Sequence, residues 1–551
     1  MMTTRSLLLL APPLLLLLVG SSINESLQDT AALRAETQNP HKNLFQTADA
    51  CMSCHNGIVT PSGEDISFGI DWRSSMMANS ARDPYWQAAV RREITDHPGS
   101  QAHIEQECST CHMPMAHYES VYNNEQAGVF ANLPVNWAVS RSNILASDGV
   151  SCTTCHQITE EKLGTRESFV GRFAIDTISA MGFRQIFGPY PVDQGLSGIM
   201  HSSTGFSQKQ SKHIQRSELC ATCHTLITES LGPDGEVIGE LPEQVPYLEW
   251  KHSSFVNSQS CQSCHMPVVG EPVAISSVLG EPREEVSRHS FRGGNFFMLR
   301  MLNRYRDELG VQALPNEMNS AVERTLDHLQ NKTARITIDD IEIRDNQLRA
   351  DVSVQNLAGH KLPTAYPSRR VWIRFTVKDR SGHVLFESGE LKPDGAIFGN
   401  DNDSNPRHYE PHYDEIHSSD QIQIYETIMV GPDDQVTTGL LTAVRFIKDN
   451  RILPDGFDKT TAGEDIAVQG RAYRDVTFTG GRDRVSYRVP LENVEQPLQV
   501  TASLWYQPIG YRWAQNLEPY ESMETERFVT YFNNMSDQSA TMLVETKRTI
   551  E

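Results

Sequence analysis

The sequence predicts a multidomain α+β chain, mainly helical and loop-rich at first and ending in a C-terminal antiparallel β-sandwich. Three observations predict it. The chain has 551 residues, more than one ordinary domain holds. All ten cysteines fall between residues 51 and 264. From Ala334 onward the apolar pattern switches to a period of two.

Residues 1–22 read as an export signal. Arg5 supplies the positive start, "LLLLAPPLLLLLV" from Leu7 to Val19 the apolar run, and Gly20, Ser21 and Ser22 a small-residue cleavage region. The run is too short and too interrupted by proline to span a bilayer. No cysteine follows it for a lipid anchor. The mature chain is therefore expected to be periplasmic or otherwise exported, and not an integral membrane protein once the signal is removed. A net charge of −22 and the lack of a basic run argue against nucleic acid as a partner.

Export would normally turn cysteines into disulfides, but here their spacing says otherwise. They form five pairs without remainder: "CMSCH" at 51–55, "CSTCH" at 108–112, "CTTCH" at 152–156, "CATCH" at 220–224 and "CQSCH" at 261–265. Structural zinc would leave five histidines unexplained and one pair unmatched, and disulfides closing such small loops would stabilise little. C-x-x-C-H is the attachment pattern of haem c: two thiols bond the porphyrin vinyl groups, and the next imidazole lies under the iron. The expected cofactor is thus haem c, five copies with their iron. The covalent positions are Cys51, Cys54, Cys108, Cys111, Cys152, Cys155, Cys220, Cys223, Cys261 and Cys264. The proximal ligands are His55, His112, His156, His224 and His265. The motif histidines are 57, 44, 68 and 41 residues apart, so equal tandem modules are not expected. Residues 41–310 read as one irregular pentahaem domain.

Nineteen histidines leave fourteen after the proximal set. His213 and His252 each lie shortly before a motif, as does His103. His117 follows motif two closely, and His289 opens the glycine-bearing "HSFRGGN". His360, in "NLAGHKLPTAYPSRR", stands on a loop of the later half and would tie the two parts together. The candidate distal ligands are therefore His117, His213, His252, His289 and His360. Met76, Met77, Met113, Met115 and Met266 compete with them, and methionine would raise the reduction potential.

A linking helix over 311–333 follows from Met318, Val322, Thr325 and Leu329 at helical spacing, with Pro315 at its start. Residues 334–551 then read as the sandwich, with turns at Asp345-Asn346, Ser381-Gly382 and Gly480-Gly481. The acidic stretch 400–420 lacks the spacing of a twelve-residue calcium loop and reads as a solvated loop.

With these motifs in view, the chain resembles exported bacterial multihaem c-type cytochromes. More loosely, it is similar to the family of the tetrahaem cytochrome that accepts electrons from hydroxylamine oxidation. The resemblance lies in "SSMMANSARDP", "CSTCHMPMA", "DGVSCTTCHQI", "SELCATCH" and "YLEWKHSSF…CQSCHMP", and in the tail stretches "GHKLPTAYPSRR" and "KDNRILPDGF". It implies distal roles for His213 and His252, upstream of their motifs. A fifth motif and the long β-rich tail depart from the tetrahaem pattern. The expected function is an electron relay that meets redox partner proteins carrying a basic docking face. The alternative is a multihaem oxidoreductase with one open haem acting on a small nitrogen or sulfur compound.

Overall fold

The computed structural model describes residues 43–137, 139–492 and 494–551, so the expected export signal lies outside the described residues. The fold is mixed α+β. Its longer helices are α1 (Pro84–Asp96), α2 (Gln101–His112), α3 (Pro114–Tyr122), α4 (Pro246–Lys251, short), α5 (Pro315–Lys332) and α6 (Met523–Asn533). Local sequence explains where they start. Asp83 caps α1 by accepting from Tyr85 N at 2.9 Å and Trp86 N at 3.2 Å, with Pro84 in the first turn. Ser522 caps α6 in the same way through Thr525 N.

The strands are β1 (Leu226–Leu231), β2 (Val237–Gln244), β3 (Ala334–Arg344), β4 (Gln347–Asn356), β5 (Arg370–Lys378), β6 (Val384–Ser388), β7 (Glu415–Ile416), β8 (Ile424–Tyr425), β9 (Thr427–Val430), β10 (Val436–Thr437), β11 (Arg445–Asp449), β12 (Arg482–Pro490), β13 (Leu498–Gln507) and β14 (Thr541–Ile550). One sheet runs β6-β5-β13-β14 with β8 also on β5, a second β7-β12-β4-β3, and a third β10-β9-β11. Pairing is antiparallel in these sheets except between β7 and β12. The β3–β4 hairpin turns on Asp345 and Asn346, both at positive φ (52° and 55°), as a two-residue hairpin requires. Leu348, Ala350, Val352 and Val354 bury alternate positions of β4. Phe375 of β5 stacks on Tyr487 of β12 with centroids 3.9 Å apart.

Two findings depart from the sequence reading. The sandwich reading of residues 334–551 names no helix, yet α6 lies there and folds back onto α1: Tyr85 packs on Phe528 at 4.9 Å, and Arg91 pairs with Glu524 at 2.9 Å. In addition, one apolar core runs from Tyr85 and Val245 through Phe296–Leu302 and Met318 into the strands. The amphipathic faces of α1 and α6 pack on each other, and that of α5 packs on the Phe296–Arg304 helix and on β14, so these helices join the parts rather than separate them. Among the described residues no helix is long and apolar enough to cross a membrane.

Candidate functional site

Motif two ends the helix α2, and the other four cysteine motifs sit on short helical turns. Nine of their ten thiols are half-buried, Cys264 is exposed, and none forms a disulfide. Long-range backbone contacts clasp the motif histidines. His55 Nδ1 donates to the Ile275 carbonyl at 2.6 Å, while Ser277 N returns a bond of 2.8 Å to Cys54 O. His112 Nδ1 donates to Ser80 O at 3.0 Å, and Ser80 Oγ returns one to His112 O. His156 Nδ1 donates to Phe187 O at 2.6 Å. His265 Nδ1 donates to Arg292 O, and Arg292 N donates back to His265 O.

A carbonyl can only accept, so in these four rings the proton is on Nδ1 and the lone pair on Nε2. That is how a metal-binding imidazole is held, with its second nitrogen fixing the tautomer. Burial lowers the pKa of each motif histidine, to about 4 for His112 and His224, which keeps the rings neutral. Trp86 of α1 stacks on His112 with centroids 4.3 Å apart and planes 2° from parallel.

Two motif rings face a second imidazole. His156 and His289 have centroids 6.3 Å apart and planes within 15°, and His265 and His360 are 6.2 Å apart and within 18°. A metal–imidazole bond is about 2.0 Å and the ring centre lies about 1.1 Å beyond the nitrogen, so two rings on opposite sides of one ion have centroids about 6 Å apart. Both pairs have that centroid spacing. His360 Nδ1 donates to Lys361 O at 2.9 Å, leaving its Nε2 free as well. His289 Nδ1 is buried without a hydrogen bond, although the Ser287 carbonyl is close enough to favour the protonated ring slightly. His328 of α5 is a third ring near His265, at 6.0 Å and 45°. Sequence reading missed it because it sits beside the apolar stripe of its helix and belongs to no motif.

The other candidates are engaged differently. His213 donates from Nε2 to Ile158 O at 2.7 Å, and its Nδ1 faces Ser211 Oγ at 2.7 Å. Both nitrogens are used. His252 donates from Nε2 to Asp458 O at 3.1 Å. In this geometry the nitrogen expected to bind iron is taken in both residues, because each lies against a backbone carbonyl. His117 of α3 is buried against motif two, with Ser109 Oγ 2.9 Å from Nδ1 and Thr110 Oγ1 3.2 Å from Nε2. His103 pairs with Glu229 at 3.2 Å. Met113 and Met115 are core side chains.

The motifs also meet one another. The Cys51 thiol lies near Cys152, Cys111 near Cys223, and Cys220 near Cys261. Cys155 lies close enough to Cys223 and Cys220 for their charges to interact.

The acidic stretch 400–420 is only in part the solvated loop its composition suggests: Asp401, Asp414 and Asp420 are exposed. Asn402, Asp403, Glu410 and His412 are buried. Asp403 pairs with the buried Arg370 at 2.8 Å. His412, Asp475 and Asp483 cluster closely enough to suggest a cation site. However, Gln423 Oε1 accepts from Tyr413 N at 2.8 Å, so its amide donates to His412 Nδ1 at 2.8 Å. The proton of His412 is then on Nε2, donating to Asp475 at 3.1 Å. The cluster is a satisfied hydrogen-bond network.

No family model matches the chain, and no curated protein matches it. Among solved structures it is similar to a penta-heme cytochrome c552 from Thermochromatium tepidum, at 14% identity over 93% of this chain and 100% of that one, with a TM-score of 0.49. At that identity and score this is a resemblance only. The reading of the site rests on the side chains.

Proposed function

We propose that the chain is an exported multihaem c-type cytochrome that relays electrons through five covalently attached haems. Cys51, Cys54, Cys108, Cys111, Cys152, Cys155, Cys220, Cys223, Cys261 and Cys264 would hold the porphyrins, and His55, His112, His156, His224 and His265 the irons. One observation carries this reading: four motif imidazoles are tethered at Nδ1 with Nε2 free, and two of these face a second imidazole about 6 Å away, as two axial ligands would. Haem iron bound there would supply a one-electron couple. His289 and His360 are the distal ligands the geometry favours, for the irons of His156 and His265.

The thiol contacts support an order. Motif one lies near three, two near four, and four near five, with three also near four. Electrons would pass one–three–four–five, with two branching at four. We read the two larger sheets as a β-sandwich packed face to face, residues 41–310 as the haem-bearing part, 311–333 as the linking helix and 334–551 as the sandwich part. Partners would be redox proteins with a basic face, which suits the −22 net charge.

Pyridine haemochrome on the purified protein is expected to give five haems per chain. A ratio near one or two would refute the reading. Low-temperature EPR, repeated with cyanide and hydroxylamine, should show low-spin irons indifferent to both. A high-spin iron that binds them would favour the oxidoreductase alternative.

A further inference from the structure

Three sequence stretches far apart in the chain meet beside His360: "YLEWK" on α4, "GHKLPTAY" on the loop after β4, and "KDNRILPDGF" at the end of β11. At their junction four charged side chains are buried together. Glu249 and Lys361 are 0% exposed, Asp449 3% and Arg451 7%. Asp449 takes a bidentate pair from Arg451, at 2.9 Å from Nε and 2.8 Å from Nη2, and a bond of 2.7 Å from Lys361 Nζ. Glu249 Oε1 lies 2.9 Å from Arg451 Nη1, a close ion pair but not an aligned hydrogen bond. Glu249 Oε2 accepts from Lys361 N at 3.1 Å and from Thr364 Oγ1 at 2.6 Å.

Two positive and two negative charges cancel, so the quartet can stay dry. A buried quartet of this kind is a poor source of stability compared with apolar packing, so its presence calls for a geometric reason. The contacts supply one. Glu249 is the only member on the α4 side, and it grips the backbone of the residue next to His360. Lys361 O, on the same peptide segment, accepts from His360 Nδ1 and so aims the ring. Asn356 Nδ2 holds His360 O at 2.8 Å from the other side. Gly359 passes so close to α4 that a Cβ there would lie 3.2 Å from the Trp250 ring. The loop is therefore seated on the segment that leads into motif five.

We infer that Glu249 is a positioning residue that aims His360 at the iron held by His265; this rests on the haem reading above. The test uses the holoprotein and measures cyanide binding and the EPR of each iron in four variants. His360→Ala tests the underlying reading: one iron should become high-spin and bind cyanide, and an unchanged spectrum would remove His360 as a ligand and the inference with it. In Glu249→Ala the same iron should bind cyanide at concentrations at least about ten-fold below any at which the wild type responds, because the loop releases the ring more often. Imidazole added to His360→Ala at low concentration should restore its low-spin signal. Asp403→Asn, which breaks an equally buried ion pair away from the motifs, should lower stability and leave cyanide binding unchanged. If His360→Ala responds and Glu249→Ala does not, or if Asp403→Asn responds as Glu249→Ala does, the inference fails. Should Glu249→Ala not accumulate, Thr364→Val, which removes only the 2.6 Å hydroxyl bond, decides in the same way.

Discussion

Residues 43–310 carry much of their apolar surface in small separate clusters, such as Ile58, Ile66, Val269, Val273 and Val286 near motif one. Residues 334–551 instead supply most of one continuous core, in which β4 and β12 bury alternate side chains and β5 and β13 bury most of theirs, in long, regular registers. Polar atoms buried without a partner occur in both parts: Ser151 and Thr154 at motif three, Thr225 after motif four, Gln262 in motif five and His289 near His156, and among the strands Arg349, Thr427 and Tyr487. The strand-rich part closes on its own side chains. The motif-bearing part is divided among several smaller apolar clusters that lie around its cysteine motifs.

The sharpest way to break this comparison is to remove the thiols through which the proposed haems would attach to the first part. With all ten motif cysteines replaced by alanine, the amides of β4, β5, β12 and β13 should keep their slow hydrogen exchange, while those of residues 44–60, 101–112 and 152–157 lose protection by about a thousand-fold, about 4 kcal/mol of local stability. Equal loss in both parts would mean that the shared core under α1 and α6 makes them one cooperative unit.

A second contrast lies in two carboxylates shifted in opposite directions. Burial raises the Asp83 pKa to about 6, against its two capping hydrogen bonds. Burial also opposes ionisation of Asp449, but Arg451 and Lys361 outweigh it and hold the pKa at about 2. The folded pKa of Asp83 exceeds the unfolded value of about 3.9, so its contribution is full below that pH and is lost as pH rises through 6. Asp449 is depressed, so its contribution, about 2 kcal/mol, is present above pH of about 4 and is lost as pH falls through 2. Asp83→Asn should therefore raise the urea midpoint at pH 7 and leave it unchanged at pH 3. Asp449→Asn should lower it at pH 7. The same sign for both at pH 7 would contradict the assignment.

The smallest expected effect lies within the strand-rich part. The Tyr487 hydroxyl is buried without a partner while its ring stacks on Phe375. Tyr487→Phe keeps the stack and removes the unsatisfied group, so stability should hold or rise by about 1 kcal/mol, with the haem spectrum untouched. A loss would show that the hydroxyl has a partner such as bound water.

What the sequence determined by itself is chemistry written in local spacing. C-x-x-C-H needs only one turn of chain, so all five motifs were legible without a fold. The Asp345-Asn346 hairpin turn and α5 were legible for the same reason, since period and turn chemistry act between near neighbours. What only the tertiary structure decided is which groups meet across long separations. Ile275, Ser80, Phe187 and Arg292 offer carbonyls, which every residue has, so no residue type announces the tethers of the motif imidazoles. His213 and His252 looked equal to His289 and His360 in sequence, and only the fold sets the first two against carbonyls and the last two opposite motif rings. The acidic 400–420 stretch read as solvated because its partners, Arg370 and Gln423, lie on or beside strands of another sheet register. Metal coordination and buried charge both depend on distances of a few ångströms between segments, and such distances arise only once the core has closed.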